Sequence, residues 1–163
     1  MFRNLRRNKS QDSNLAASQL FDNATFYDGF IKDLSRSKKE VIIESPFLTT
    51  RRVSMILPAL AKLKRHGLKI IVNTRDPLEQ EGHMQREAEL SIDLLQGAGV
   101  SILFTGGHHR KLAIIDREIL WEGSLNILSQ NDSCEVMRRI ESEQLAAQMI
   151  SFIKLDKHLE IAA

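Results

Sequence analysis

The sequence predicts an α/β fold built on a mixed, mostly parallel sheet. Two observations carry that expectation. Three short, largely β-branched or apolar runs at residues 41–43, 68–72 and 100–104 alternate with two stretches whose apolar residues recur at helical spacing. Alternation of this kind makes parallel β-α-β units with right-handed crossovers. The grammar then changes, because residues 111–115 and 119–121 flank Asp116-Arg117-Glu118 as a strand pair with a short turn.

Each element has its own local reason. After a polar lead through Ser18, Asp22 or Asn23 caps a helix in which Phe26, Phe30 and Leu34 recur every four residues. Val41-Ile42-Ile43 reads as a buried strand, stopped by Ser45-Pro46. Thr49 or Thr50 opens a helix through Met55, Leu57, Leu60 and Leu63 to the capping Gly67, and Pro58 inside it predicts a kink or a break. A strand at 68–72 and a polar loop at 76–82 precede an amphipathic helix at 84–97, marked by Ala88, Ile92 and Leu95. The third strand ends in Thr105-Gly106-Gly107. Residues 135–140 add a strand, and 142–158 close the chain with a helix through Leu145, Met149, Ile150 and Ile153.

The 163 residues make one domain, and 42% hydrophobic against 27% charged residues is a globular balance. Net charge is +2, yet Arg3, Arg6, Arg7 and Lys9 all precede the first acid, leaving 19 bases against 21 acids in the rest. Residues 1–20 therefore read as a flexible basic arm and 21–163 as the domain. Such an arm suits phosphates or an acidic partner, and equally a solvated terminus. A single cysteine, Cys134, excludes an internal disulfide and a multi-thiolate zinc site, and points to a reducing, cytoplasmic setting. No apolar stretch reaches the roughly 20 residues of a membrane span, and residues 1–20 lack a signal-peptide core.

Chemistry concentrates in Gly106-Gly107-His108-His109-Arg110-Lys111. Residues two apart in a strand share a face, so His109 and Lys111 project together. That pairing suits phosphodiester chemistry: an imidazole attacks phosphorus while an ammonium stabilises charge on the non-bridging oxygens, with no metal required. Taken alone, the same residues fit the exposed coat of an edge strand equally well. Gly123-Ser124-Leu125-Asn126 alters that balance, because a turn after the second strand returns Ser124 and Asn126 towards the histidine, and hydroxyl and amide groups are phosphate donors. By itself Gly-Ser-x-Asn is an ordinary turn or cap.

His109-x-Lys111, four residues, Asp116, then Gly123-Ser124-x-Asn126 resembles the signature of the phospholipase D superfamily. The resemblance runs from about residue 21 to 158 and implies a phospholipase D-like mixed, mostly parallel sheet with helices on both faces. It implies His109 as the nucleophile that forms a phosphohistidine, with Lys111 and Asn126 on phosphate oxygens and Ser124 bonding in the same pocket. Asp116 is then the motif acid that orients and stabilises the charged groups. Glu135 stands for the glutamate that bonds the histidine, at a looser spacing than the rest. The chemistry needs a second histidine, and neither His66, His83, His108 nor His158 is followed by Lys two residues on. The resemblance to small members of the superfamily thus implies a homodimer that joins two copies across one cleft.

The motif does not choose between nucleic acid and phospholipid. The single motif, the lack of a membrane-binding helix and the basic residues near the cleft favour nucleic acid, DNA before RNA, cut by a metal-independent endonuclease with no cofactor. Arg51, Arg52, Arg75 and Arg110 are the candidate backbone contacts, since ligands gather at the carboxyl ends of parallel strands. Arg51 and Arg52 open a helix, where positive charge is unfavourable and a phosphate explains them, as does plain solvent exposure. Lys62, Lys64, Arg65 and Lys69 sit around a helix end, where cations are favoured anyway. Residues 136–142 and Ser45-Pro46-Phe47-Leu48 resemble phospholipase D-like domains at the C-terminal end of some bacterial helicase-type proteins. This adds a helicase or ATPase module, in the same or an associated chain, as an expected partner. It also leaves a non-catalytic DNA-binding accessory domain as the alternative function, with phospholipid hydrolysis third.

Overall fold

The computed structural model describes residues 18–129 and 133–156. Seven strands among them form one sheet: β1 (Gln19–Asp22), β2 (Glu40–Glu44), β3 (Lys69–Thr74), β4 (Ser101–Phe104), β5 (Leu112–Ile115), β6 (Ile119–Gly123) and β7 (Val136–Glu141), in spatial order β1-β7-β6-β5-β2-β3-β4. The helices are α1 (Phe26–Arg36), α2 (Thr50–Arg65), α3 (Gly82–Gly97) and α4 (Glu143–Phe152), with a short 3₁₀ turn at Pro77–Glu79.

Period-two alternation divides the core. Val41, Ile43, Ile70, Val72, Ala113, Ile115 and Trp121 face the apolar sides of α1, α2 and α3. Ile42, Ile71, Leu112, Ile114, Leu120 and Ile140 face Ala146 and Ile150 of α4, with Ile153 and Leu155 beyond it. Helices therefore cover both faces. β2 and β5 are buried along their whole length, as central strands must be. Trp121 is fully buried against Phe26 and Phe30, and its indole N–H donates to Asp33 at 2.9 Å. Asp33 also accepts from the half-buried Arg139 at 2.7 Å, which ties β7 to α1.

The sheet is mixed, as expected, but its parallel part is smaller. Only β2–β3 and β3–β4 are parallel, whereas β1–β7, β7–β6, β6–β5 and β5–β2 are antiparallel. The chain leaves the β4 edge and re-enters beside β2, so β5 runs against the strand it joins. Pro58 does not break its helix: α2 continues for 16 residues, held by buried Val53, Ile56, Leu60 and Leu63, and Pro58 itself is exposed. β1, not expected from the sequence, begins at Gln19, directly after the polar lead and inside the expected arm. Residues 1–17 of that arm, and the last part of the helix expected to 158, lie outside the described residues. No helix among the described residues is long and apolar enough to cross a membrane.

Candidate active site

The topology brings six strand ends to one edge. The carboxyl ends of β2, β3, β4 and β6 meet the amino ends of β5 and β7 there. His109 lies in the irregular segment just before β5 and is exposed, with its ring edge-on to Phe47 at 6.3 Å between centroids. Lys111, half-buried, also precedes the strand, so a shared strand face is not what couples the two. Its Nζ instead donates to the His109 carbonyl at 3.0 Å.

The Gly-Ser-x-Asn segment is fastened beside them. The Gly123 amide donates to the Lys111 carbonyl at 3.3 Å, and the Ser124 amide donates to the Val136 carbonyl at 2.9 Å. The Ser124 hydroxyl accepts from the Val136 amide at 3.1 Å, which ties it to β7 and leaves its own proton to donate. Leu125, Ile127 and Leu128 are fully buried. Leu128 N donates to the Ser45 hydroxyl at 3.1 Å, Thr49 N donates to the Leu128 carbonyl at 2.8 Å, and the Tyr27 hydroxyl donates to the Ile127 carbonyl at 3.0 Å. Burial pushes the Tyr27 phenol up to about 12, so it remains a donor. The bonds from Leu128 thus tie this segment to the 45–49 loop, whose Phe47 meets the His109 ring. Asn126 has a buried side-chain oxygen with no hydrogen-bond partner among the described residues. Such an atom costs free energy until it finds a donor.

Not every sequence-predicted residue joins this edge. Asp116 lies at the other end of β5, about 16 Å of strand from Lys111. Its carboxylate accepts from the Ser37 hydroxyl and from the amides of Lys38, Lys39 and Glu40. The resemblance implies an acid that orients and stabilises the charged groups; the partners of Asp116 here are the hydroxyl and amides of the segment entering β2. Burial would raise its carboxyl, but these bonds hold it below the ordinary 3.8. Glu135, by contrast, directly precedes the amino end of β7 and so lies at this edge; it is half-buried, and its carboxylate accepts from the Ser133 hydroxyl at 2.9 Å.

The arginines divide similarly. Arg51 is exposed, and Arg52 lies over the Tyr27 ring at 4.6 Å. The helix start that carries them already holds an anion, because Glu87 of α3 accepts from Thr50 N at 2.8 Å and Thr50 Oγ1 at 2.9 Å. The backbone bond from Thr50, then the hydroxyl bond, draws the Glu87 carboxyl below its ordinary value. The helix end therefore needs no external phosphate to balance it. Arg75 is at the site edge, its guanidinium 5.6 Å over Phe47 and its Nε 3.4 Å from Glu79. Arg110 points to Glu44.

Sequence reasoning missed Glu44, Asn73 and the place of His108. Glu44 is fully buried, and Asn73 and His108 nearly so. One signal was present: an acid ends the apolar run Val41-Ile42-Ile43, and charged residues are almost never fully buried unless paired. Among the described residues no group of three His, Cys, Asp or Glu side chains gathers as metal ligands.

This mixed sheet, with a His-x-Lys segment at the amino end of its central hairpin and Gly-Ser-x-Asn at the close, defines the phospholipase D-like class. The family model described as "Cardiolipin synthase, PLD-like domain" matches residues 30–156, and the chain belongs to that family. No curated protein sequence matches it. Among solved structures, the chain is similar to Nuc, a phospholipase D family member from Salmonella typhimurium, with a TM-score of 0.68 at 15% identity over 83% of this chain and 90% of that one. It is similar to NucT from Helicobacter pylori with a TM-score of 0.66 at 21% identity over 88% and 95% of the two chains. TrmBL2, an archaeal chromatin protein with a novel mode of DNA binding, gives a TM-score of 0.57 at 14% identity over 88% of this chain and 52% of that one. At these identities the likenesses establish the fold.

Proposed function

We propose that the chain is a phosphodiesterase that cuts nucleic acid without a metal, through a phosphohistidine at His109. The observation that supports this reading is that His109, Lys111, Ser124 and Asn126 lie in segments at one end of the sheet, where Lys111 bonds the His109 carbonyl and Gly123 bonds the Lys111 carbonyl. An imidazole nitrogen of His109 attacks phosphorus, and the bond to the leaving oxygen breaks as that oxygen takes a proton. Lys111, Ser124 and Asn126 donate to the non-bridging oxygens, where charge grows in the transition state. Water then displaces the histidine from phosphorus and gives up its proton. A second general acid and base is required for both proton transfers, and His109 of a second copy supplies it in a homodimer. Nucleic acid is the substrate class favoured by Arg75 at the cleft edge.

The test is incubation with single-stranded DNA, duplex DNA, RNA and a phosphodiester reporter in excess chelator, beside His109→Ala. Cleavage that survives chelation and is lost in the variant is the expected result. A second reading, a DNA-binding module without catalysis, draws on the likeness to TrmBL2. It predicts that neither protein cleaves and both bind DNA with steep salt dependence.

A further inference from the structure

We propose that Glu44 is the positioning residue for His109, acting through the two residues that flank it. The inference rests on the reading of His109 as the reacting histidine. Glu44 is fully buried at the carboxyl end of β2. A buried carboxylate persists only where it is paired and hydrogen-bonded. Its partners come from the 105–111 segment and from the strand beside it. Arg110 donates to it through Nε and Nη2, and Asn73 Nδ2 donates at 2.8 Å. His108 Nε2 lies 3.6 Å away.

The tautomer of His108 follows from its partners. The Arg110 amide can only donate, so His108 Nδ1 accepts from it, at 3.3 Å. The Asn73 carbonyl can only accept, so Nε2 carries the proton and donates to it, at 3.2 Å. Asn73 also takes the Thr105 hydroxyl on its Oδ1 at 3.0 Å. His109 is exposed while Arg110 is bonded to the buried anion and His108 is bonded to the neighbouring strand β3, 3.6 Å from that anion. No bond from Glu44 to the His109 ring is involved: the carboxylate fixes the backbone from which that ring projects. A nucleophile needs such restraint, because reaction demands a near-attack geometry that a small displacement destroys.

The test uses the full chain with Glu44→Gln, which keeps the volume and removes the charge, and the double variant Glu44→Met with Arg110→Met. Replacing a buried ion pair by apolar side chains of similar size often leaves stability unchanged or improved. A merely structural role predicts that the stable double variant cleaves a phosphodiester reporter as the wild type does. Positioning predicts kcat reduced by about 10²-fold in both variants, with KM for Glu44→Gln within about twofold because Lys111, Ser124 and Asn126 are untouched. A folded variant of either kind with wild-type kcat overturns the proposal. If the wild type cleaves nothing, the functional reading falls, and amide exchange then decides the positioning claim. Faster exchange at Arg110 and Lys111 in Glu44→Gln supports it, and unchanged exchange overturns it.

Discussion

Asp116 Oδ1 accepts the Ser37 hydroxyl at 2.9 Å, at the end of β5 remote from His109. Three amides converge on the same carboxylate, and Asp116 and Arg117 both adopt left-handed φ, of 56° and 59°, to make the turn that brings it there. Arg117 pairs with Glu40 at 2.6 Å. The motif acid thus locks the β5–β6 hairpin to the entrance of β2. Asp116→Ala is expected to lower stability by about 2–4 kcal/mol through the loss of its hydrogen bonds to a charged acceptor. Its activity per folded molecule falls far less than that of His109→Ala. Chemical denaturation and single-turnover rates on the folded fraction measure the two effects separately.

The same carboxylate sets an acid response. Its folded pKa lies below the ordinary 3.8, so its stabilisation is present above about that pH and is lost as pH falls through the folded value. Asp116→Asn should start less stable at neutral pH and lose less stability below pH ~4. Acid titrations followed by circular dichroism compare the two slopes.

His108 adds a second loss of stability on acidification, in a higher pH window. Burial lowers its pKa from 6.5, against the opposing pull of Glu44, so the folded protein holds it neutral. The unfolded chain takes up the proton first, and stability is therefore complete above about pH 6.5 and falls below it. The thermal midpoint of the wild type should drop between pH 7 and pH 5. A His108→Gln variant, less stable throughout, should show a smaller drop across that interval.

Gly123 is required by a close approach. A β-carbon there would stand 2.1 Å from the Val136 carbonyl and 2.8 Å from Met137 Sδ. Gly123→Ala must push β7 off β6, costing at least about 2 kcal/mol. It also displaces Ser124, whose two bonds to Val136 are made at that crossing. A variant with wild-type stability would show that this contact relaxes freely.

Much of this was legible in local pattern. The apolar runs of β2, β3 and β5 and the four-residue spacing of Phe26, Phe30 and Leu34 correspond to elements of the fold. β1 escaped because a four-residue edge strand with three exposed positions carries no alternation to read. Strand order escaped because nothing local tells β5 to insert beside β2 and not beyond β4. The motif could be read as spacing, but spacing along the chain treats Lys111 and Asp116 as companions when β5 holds them at opposite ends. Glu44 and Asn73 came into view only with the sheet, since 29 residues separate two side chains that bond across adjacent strands.

Association state bears on the second proton carrier. Light scattering at micromolar concentration should give twice the 18.6 kDa of one chain. A monomer that nonetheless cleaves would place the general acid within this chain.

The most direct measurement is capture of the covalent intermediate. The protein is mixed with a phosphodiester substrate in chelator, quenched within one turnover under conditions that preserve phosphohistidine, and digested for mass spectrometry. The phosphoryl adduct should map to His109 and be absent from His109→Asn. Undiminished turnover by that variant, or an adduct on another residue, would contradict the assignment of His109 as nucleophile.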